Sequence, residues 1–337
     1  MKTLYFVLGM HRSGTSMVCD LLSELGLYLG DEAALNNFGA DNLRGFFERS
    51  DVIGLNEQIL KFLGGSTYQV DHLQDIEEFV FSSKGMSMKN SVDSILKKII
   101  PRGQQKGTAL KDPRISITLP FWINNSIFDQ FKGIFIYRNP IEVANSMMTR
   151  GDIVELEKGI DLWRAYNRKA IDNSRKLNEV TFVRYSDFIV DPVVETARIL
   201  PLLDISLDLK TLPSIYKVVD PTLRHEKYAE QFAQLLTERQ DIADLWTELE
   251  ECRVSCRTLP VSEDIVQIAK VIEEVLLDYR KEYADLATKV KDMDTEFRTG
   301  EKWYKEQLEN HQKVIDNNLK DIKILEDTVR KFQGFQE

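Results

Sequence analysis

Phe6-Val7-Leu8-Gly9-Met10-His11-Arg12-Ser13-Gly14-Thr15-Ser16 decides how this chain is read. The apolar run from Leu4 to Leu8 predicts a fully buried strand. Gly9 and Gly14 mark a loop. Met17 to Leu25 predicts a helix that ends near Gly26. Strand, glycine-bearing loop and helix together aim backbone N–H groups and a helix N-terminus at an anion. The two glycines are separated by four residues, the spacing of a Walker-type phosphate loop. The Lys that such a loop carries after its second Gly is Thr15, and the nearest cation, Arg12, sits inside the turn. A plain connecting turn is the simpler alternative, but Arg12, Ser13, Thr15 and Ser16 surround this one with donors.

The rest of the chain extends that design. Thr108 to Lys111 and Ile134 to Tyr137 read as strands, as does Val180 to Tyr185. Helical spacing runs through Val52–Phe62, Met88–Ile100, Ile141–Arg150 and Gly159–Leu177, while 64–85 reads as irregular. Asn139 and Pro140 supply the cap and first position of the helix from Ile141. Alternating strands and helices predict an α/β fold, a P-loop-like parallel sheet flanked by helices. Ligands of such sheets lie beyond the carboxyl ends of the strands. His11-Arg12-Ser13, Lys111-Asp112 and Arg138-Asn139 all fall there.

From about Glu226 the strand signals stop. Tyr228 to Cys252 reads as one long amphipathic helix, broken at Leu259-Pro260. Ile265, Ile268, Ile272, Val275, Tyr279 and Leu286, then Tyr304 to Phe332, follow heptad spacing with polar interruptions. A continuous helix there would be roughly 100 Å long at about 1.5 Å per residue. The expected division is 1–225 as the α/β domain and 226–337 as a helical, coiled-coil extension through which the chain self-associates or binds a partner.

Composition narrows the function. Among 337 residues, the net charge of −10 argues against nucleic acid as the main partner, while leaving room for a local basic pocket. No run is long enough for a membrane span, and no secretory signal is read at the start. Three cysteines give no disulfide framework, and a reducing cytoplasm is the economical location. Cys252 and Cys256 lie one helical turn apart without a His or acidic pair to complete a metal set, so no metal is expected and packing is their reading.

These residues resemble the sulfotransferases that use 3′-phosphoadenosine 5′-phosphosulfate (PAPS). The resemblance runs from about residue 3 to 225. It rests on Arg12-Ser13-Gly14-Thr15-Ser16 and on Arg138 with Ser146. Supporting stretches are Asn42-Leu43-Arg44-Gly45-Phe46-Phe47-Glu48, Lys111-Asp112-Pro113-Arg114, and Val183-Arg184-Tyr185-Ser186-Asp187-Phe188 with Asp191-Pro192. Tyr185-Ser186-Asp187 departs from the family's more usual Tyr-Glu-Asp. The resemblance implies that the loop, His11 to Ser16, holds the 5′-phosphosulfate. It implies that Arg138 and Ser146, with Arg224 from a late basic loop beside His225, hold the 3′-phosphate. PAPS would be the donor, 3′,5′-adenosine bisphosphate (PAP) the product, and a hydroxyl the acceptor. An Arg-type loop is shared with carbohydrate- and tyrosine-directed members, so a glycan or cell-surface precursor is the expected acceptor.

Sulfuryl transfer depends on positioning and charge stabilisation, by analogy with phosphoryl transfer. Arg12 and Lys111 would neutralise the leaving phosphate. Glu48 is the expected base, on its likeness in placement to a Glu of tyrosine-directed members; His11 is the rival. The simpler alternatives are a Glu48 paired with Arg44 or Arg49, a Lys111 paired with Asp112, and a structural Arg114. Trp163 and Tyr166 read as core rather than as an adenine shelf. Two other classes compete: a P-loop kinase or NTPase, against which Thr15 counts, and a non-catalytic assembly protein that displays the coiled coil on a degenerate nucleotide fold.

Overall fold

The computed structural model describes residues 2–31, 35–36, 47–100, 105–208, 211–219 and 228–274, with further helical positions between 288 and 316. The chain divides into two compact units, Met1–Glu273 and Glu274–Glu337. In the first, β1 (Thr3–Leu8) leads through the glycine loop into α1 (Thr15–Glu24). Short strands β2 (Leu27–Tyr28), β3 (Leu35–Asn36) and β4 (Glu48–Arg49) follow. Helices α2 (Ser50–Phe62), α3 (Ile76–Phe81), α4 (Ser83–Ser87) and α5 (Lys89–Lys98) precede β5 (Gly107–Lys111). Then come α6 (Ile115–Asn124), β6 (Gln130–Tyr137), α7 (Pro140–Arg150), α8 (Leu156–Ser174) and β7 (Glu179–Arg184). Beyond β7 the described chain is helical: α9 (Tyr185–Val190), α10 (Pro192–Ile199), α11 (Leu212–Val218), α12 (Ala229–Glu238), α13 (Gln240–Ser255) and residues 263–274.

Five strands form one parallel sheet in the order β2-β5-β1-β6-β7. β1 is central: Leu4 pairs with Thr108 of β5, and Leu8 pairs with Phe135 of β6. Its side chains are buried on both faces, as a parallel sheet covered by helices requires. Leu4, Phe6 and Leu8 join a large core with residues of α2, α5, α6, α7 and α8. Tyr5 and Val7 are buried on the opposite face, where α1 crosses β1 and β5. The predicted parallel α/β sheet is therefore present.

Several elements depart from the sequence reading. The stretch 64–85, expected to be irregular, holds α3 and α4. Each is too short for a periodic signal, but each is capped: Asp75 accepts from Glu77 N at 2.6 Å, and Ser82 Oγ accepts from Gly85 N at 3.0 Å. Helix α6 escapes periodicity because Ile115 to Trp122 are all buried, so it has no polar face. The single helix expected from 228 to 252 is two helices. Arg239 (φ −119°, ψ 87°) breaks it and is fixed by ion pairs to Asp161, Asp241 and Glu157.

The compact unit extends beyond the change of character at 225/226. Leu235, Ile242, Leu245 and Leu249 belong to the same core as β1. Trp246 packs between Phe232 (4.7 Å), Tyr137 (5.4 Å) and Trp163 (6.3 Å). Ile265 and Ala269 are buried as well. A long coiled coil is not shown. In the second unit His311 is helical and exposed. Val275, Tyr279, Leu286, Tyr304, Leu308 and the heptad positions from Ile315 to Phe332 lie outside the described residues.

Candidate functional site

The site begins where β1 ends. Gly9 has φ +140°, and a Cβ there would lie 2.3 Å from the Ile136 carbonyl oxygen, so the parallel neighbour β6 leaves room only for glycine. Gly9 N donates to Ser116 Oγ at 3.0 Å, which ties the loop to α6. Arg12 is left-handed at φ +66°. A non-glycine residue there is costly and signals a turn held by its surroundings. Gly14, at φ +97°, caps α1. The first turn of α1 contains no acidic residue and receives no side-chain cap, so the dipole's positive end faces the loop.

The second cationic centre follows β6. Tyr137 pairs with Arg184 across β6 and β7, and that register sets Arg138 beside Tyr185. The Arg138 guanidinium lies 4.2 Å over the Tyr185 ring, a cation–π contact. Its Nη1 donates to the Arg12 carbonyl oxygen at 3.3 Å, and its Nε donates to Glu142 Oε2 at 2.6 Å. Trp163 Nε1 donates to the Arg138 carbonyl oxygen at 2.9 Å. Asn139 Oδ1 caps α7 by accepting from Ile141 N at 2.9 Å, as the sequence predicts. One turn and a half into α7, Ser146 Oγ accepts from Arg12 Nε at 2.9 Å. Arg12, Arg138 and Ser146 thus meet although 126 and 134 residues separate the contacting pairs.

Lys111 ends β5 with its side chain 2% exposed. Its Nζ lies 2.5 Å from Glu48 Oε1 and 3.4 Å from Ser16 Oγ. Glu48 is placed there by the antiparallel pair β3–β4, in which it faces Asn36. Two of the simpler pairings, Glu48 with Arg49 and Lys111 with Asp112, are not the ones found. Arg49 pairs with Asp51. Asp112 is taken by Arg114 at 3.0 Å, and Arg114 also donates to Thr67 Oγ1 and to Glu57. Arg114 is accordingly a buried strut. Arg224, Arg44 and His225 lie outside the described residues.

His11 and Ser13 point to unmet demand. His11 Nε2 and Ser13 Oγ are buried and have no hydrogen-bond partner among the described residues. The His11 ring sits edge-on to Tyr166 at 5.8 Å and near Tyr68 at 6.2 Å. Burial, and then the cations Arg114, Lys111, Arg150 and Arg12, hold its pKa well below the ordinary 6.5, so the imidazole is neutral at pH 7. Trp163 and Tyr166 are fully buried, as core residues. Cys256 packs its sulfur against Phe182 N at 3.2 Å. No group of three or more metal-ligating side chains is found among the described residues.

Sequence reading missed two members of this cluster. Tyr185 is wedged between the loop and Arg138: a Cβ on Gly14 would lie 2.5 Å from its ring. Its position directly after a strand end was the available signal. Glu142 stands four residues after Arg138 on one helix face, a spacing at which opposite charges meet.

No family model matches the chain, and no curated protein matches it. Solved structures do resemble it. The sulfotransferase domain of the Synechococcus PCC 7002 olefin synthase is 18% identical, with a TM-score of 0.43, over 77% of this chain and 96% of its own. The sulfotransferase domain from the curacin biosynthetic pathway is 15% identical, with a TM-score of 0.43, over 74% and 98%. A sulfotransferase from Alicyclobacillus acidocaldarius is 15% identical, with a TM-score of 0.40, over 74% and 96%. At these TM-scores the likeness carries no functional weight; two of these three structures are sulfotransferase domains and the third is a sulfotransferase.

Proposed function

We propose that the chain is a sulfotransferase that moves the sulfuryl group of PAPS to an acceptor hydroxyl. The observation that carries the proposal is the joining of two cationic seats. Arg12, inside the glycine loop, donates to Ser146, and Arg138 donates to the Arg12 carbonyl. A nucleotide with an anion at each end matches that pair. The loop and the N-terminus of α1 would take the 5′-phosphosulfate, through His11, Arg12, Ser13, Gly14, Thr15 and Ser16. Arg138 and Ser146 would take the 3′-phosphate, with Arg224 as a further proposed contact. Thr15 in place of the Walker Lys disfavours a metal-bound triphosphate.

In the reaction the acceptor oxygen forms a bond to sulfur, while the bond from sulfur to the bridging phosphate oxygen breaks. PAP leaves with that electron pair, and the acceptor proton passes to Glu48. Arg12 and Lys111 offset the charge that grows on the leaving phosphate. Glu48 lies against Lys111, which reaches Ser16 of the loop, so base and cation border the same space. Neutral His11, whose Nε2 has no hydrogen-bond partner among the described residues, is proposed to hydrogen-bond the donor. A glycan hydroxyl is the proposed acceptor, on the Arg-type loop alone. The catalytic domain is proposed to end near residue 225, with the later helices as its extension. Self-association through the heptads and a cytoplasmic location complete the reading.

Calorimetric titration with PAP in the absence of metal tests the proposal. Binding with a dissociation constant of about 1–10 μM is expected, with loss in Arg138→Ala. No binding, or an equal preference for ATP with Mg²⁺, overturns it.

A further inference from the structure

Arg138 is held by four contacts, one of them the Arg12 carbonyl oxygen on Nη1. Its carbonyl oxygen accepts from Trp163 Nε1, its guanidinium plane lies on Tyr185, and its Nε donates to Glu142. A guanidinium has five N–H donors in a planar fork. Glu142 takes Nε, and the Arg12 carbonyl oxygen takes one N–H of Nη1. Among the described residues the hydrogen bonds of Arg138 leave Nη2 uncommitted. Glu142 is in the first turn of α7, with its side chain 16% exposed, and α7 also carries Ser146. One helix thus fixes both the orientation of the arginine and the position of the serine.

We propose that Glu142 is a positioning residue that aims the free edge of Arg138 at the 3′-phosphate and so sets the preference for 3′-phosphorylated nucleotides. The inference rests on the nucleotide reading above. An arginine loses rotamer freedom when it grips a phosphate, and prior anchoring of Nε removes part of that loss. A carboxylate beside the site also opposes an incoming anion. The geometry favours anchoring as the larger effect. Glu142 engages Nε at 2.6 Å, beside Nη2, and leaves the N–H of Nη2 that faces Nη1 to point away from the carboxylate. Its own charge is already matched by Arg138.

Two ligands separate this role from general support of the fold: PAP, and adenosine 5′-monophosphate, which lacks the 3′-phosphate. In calorimetry, Glu142→Ala is expected to weaken PAP about tenfold and to leave the monophosphate within about twofold. Glu142→Gln keeps an acceptor for Nε and should bind PAP within about threefold of wild type. Glu142→Asp retains the charge but withdraws the carboxylate by one methylene, so it should weaken PAP in the direction of the Ala variant. It serves in place of Glu142→Ala if that variant does not fold.

Equal weakening of both ligands, or unchanged or tighter PAP binding by the Ala and Asp variants, overturns the positioning role while the sulfotransferase reading stands. Failure of the wild-type chain to bind PAP overturns both.

Discussion

Replacing Glu48 with Gln should separate stability, donor binding and transfer, because one ion pair links all three. Glu48 and Lys111 lie 2.5 Å apart, with side chains 13% and 2% exposed. Glutamine keeps an oxygen that Lys111 can donate to, but it removes the charge. Losing a hydrogen bond's charge assistance in such a place is worth about 1.5–3 kcal/mol, below the ~3–5 kcal/mol for deleting one partner of a buried pair. An expected loss of about 2 kcal/mol in unfolding free energy follows, measured in urea. The same change weakens the hold of residue 48 on Lys111, which already reaches Ser16 at 3.4 Å. An anion in the loop then no longer competes with a carboxylate for that ammonium. PAP should bind tighter, by about three- to tenfold, since tenfold corresponds to about 1.4 kcal/mol. Transfer to a hydroxyl acceptor that the wild type sulfates should fall by about 10²–10⁴, the usual worth of a general base. Weaker PAP binding would refute the competition argument. Turnover within about threefold of wild type would remove Glu48 from the chemistry.

Gly14→Ala should cost about 1–2 kcal/mol for a left-handed residue, and more because its Cβ meets the Tyr185 ring at 2.5 Å and Ile136 Cδ1 at 3.0 Å. Its PAP affinity should drop more than its stability explains, since Tyr185 also carries Arg138; wild-type behaviour in both titration and urea unfolding would contradict the wedge. His11 gives a pH signature. Its folded pKa is depressed, so below pH ~6.5 the unfolded chain binds a proton that the folded chain refuses, and folding weakens by up to about 1.4 kcal/mol per pH unit. The unfolding free energy of wild type relative to His11→Gln should therefore be level above pH 7 and fall from pH 6.5 downward. A level difference down to pH 5 would show that the imidazole titrates freely.

Much of the fold was legible because a parallel sheet writes itself as short apolar runs. Leu4 to Leu8 and Ile134 to Tyr137 are buried throughout, so neither needs a polar alternation to be found. The turns after them were legible for a different reason: Gly9 and Gly14 have conformations that a side chain resists, and Asn139-Pro140 is cap chemistry. What escaped was structure decided by distant partners. Helix α6 has no polar face because it lies inside the unit. Arg239 breaks a helix whose apolar spacing continues across it, and carboxylates from α8 stabilise the break. At the site, the cationic residues could be named individually, but who pairs with whom could not. The Lys111–Glu48 pair joins β5 to a two-residue strand that composition does not announce.

The central place of β1 has a consequence for biosynthesis. β1 is made before both strands it pairs with, and neither lies nearby in sequence. It must wait for residues 107–111 on one side and 130–137 on the other. Until then Leu4, Phe6 and Leu8 have no sheet to join, and the loop that follows has no Ile136, Ser146 or Tyr185 to shape it. Such long-range pairing is slow to form and leaves apolar chain exposed in the meantime. A chain interrupted before β6 would carry the entire glycine loop and yet have no pocket.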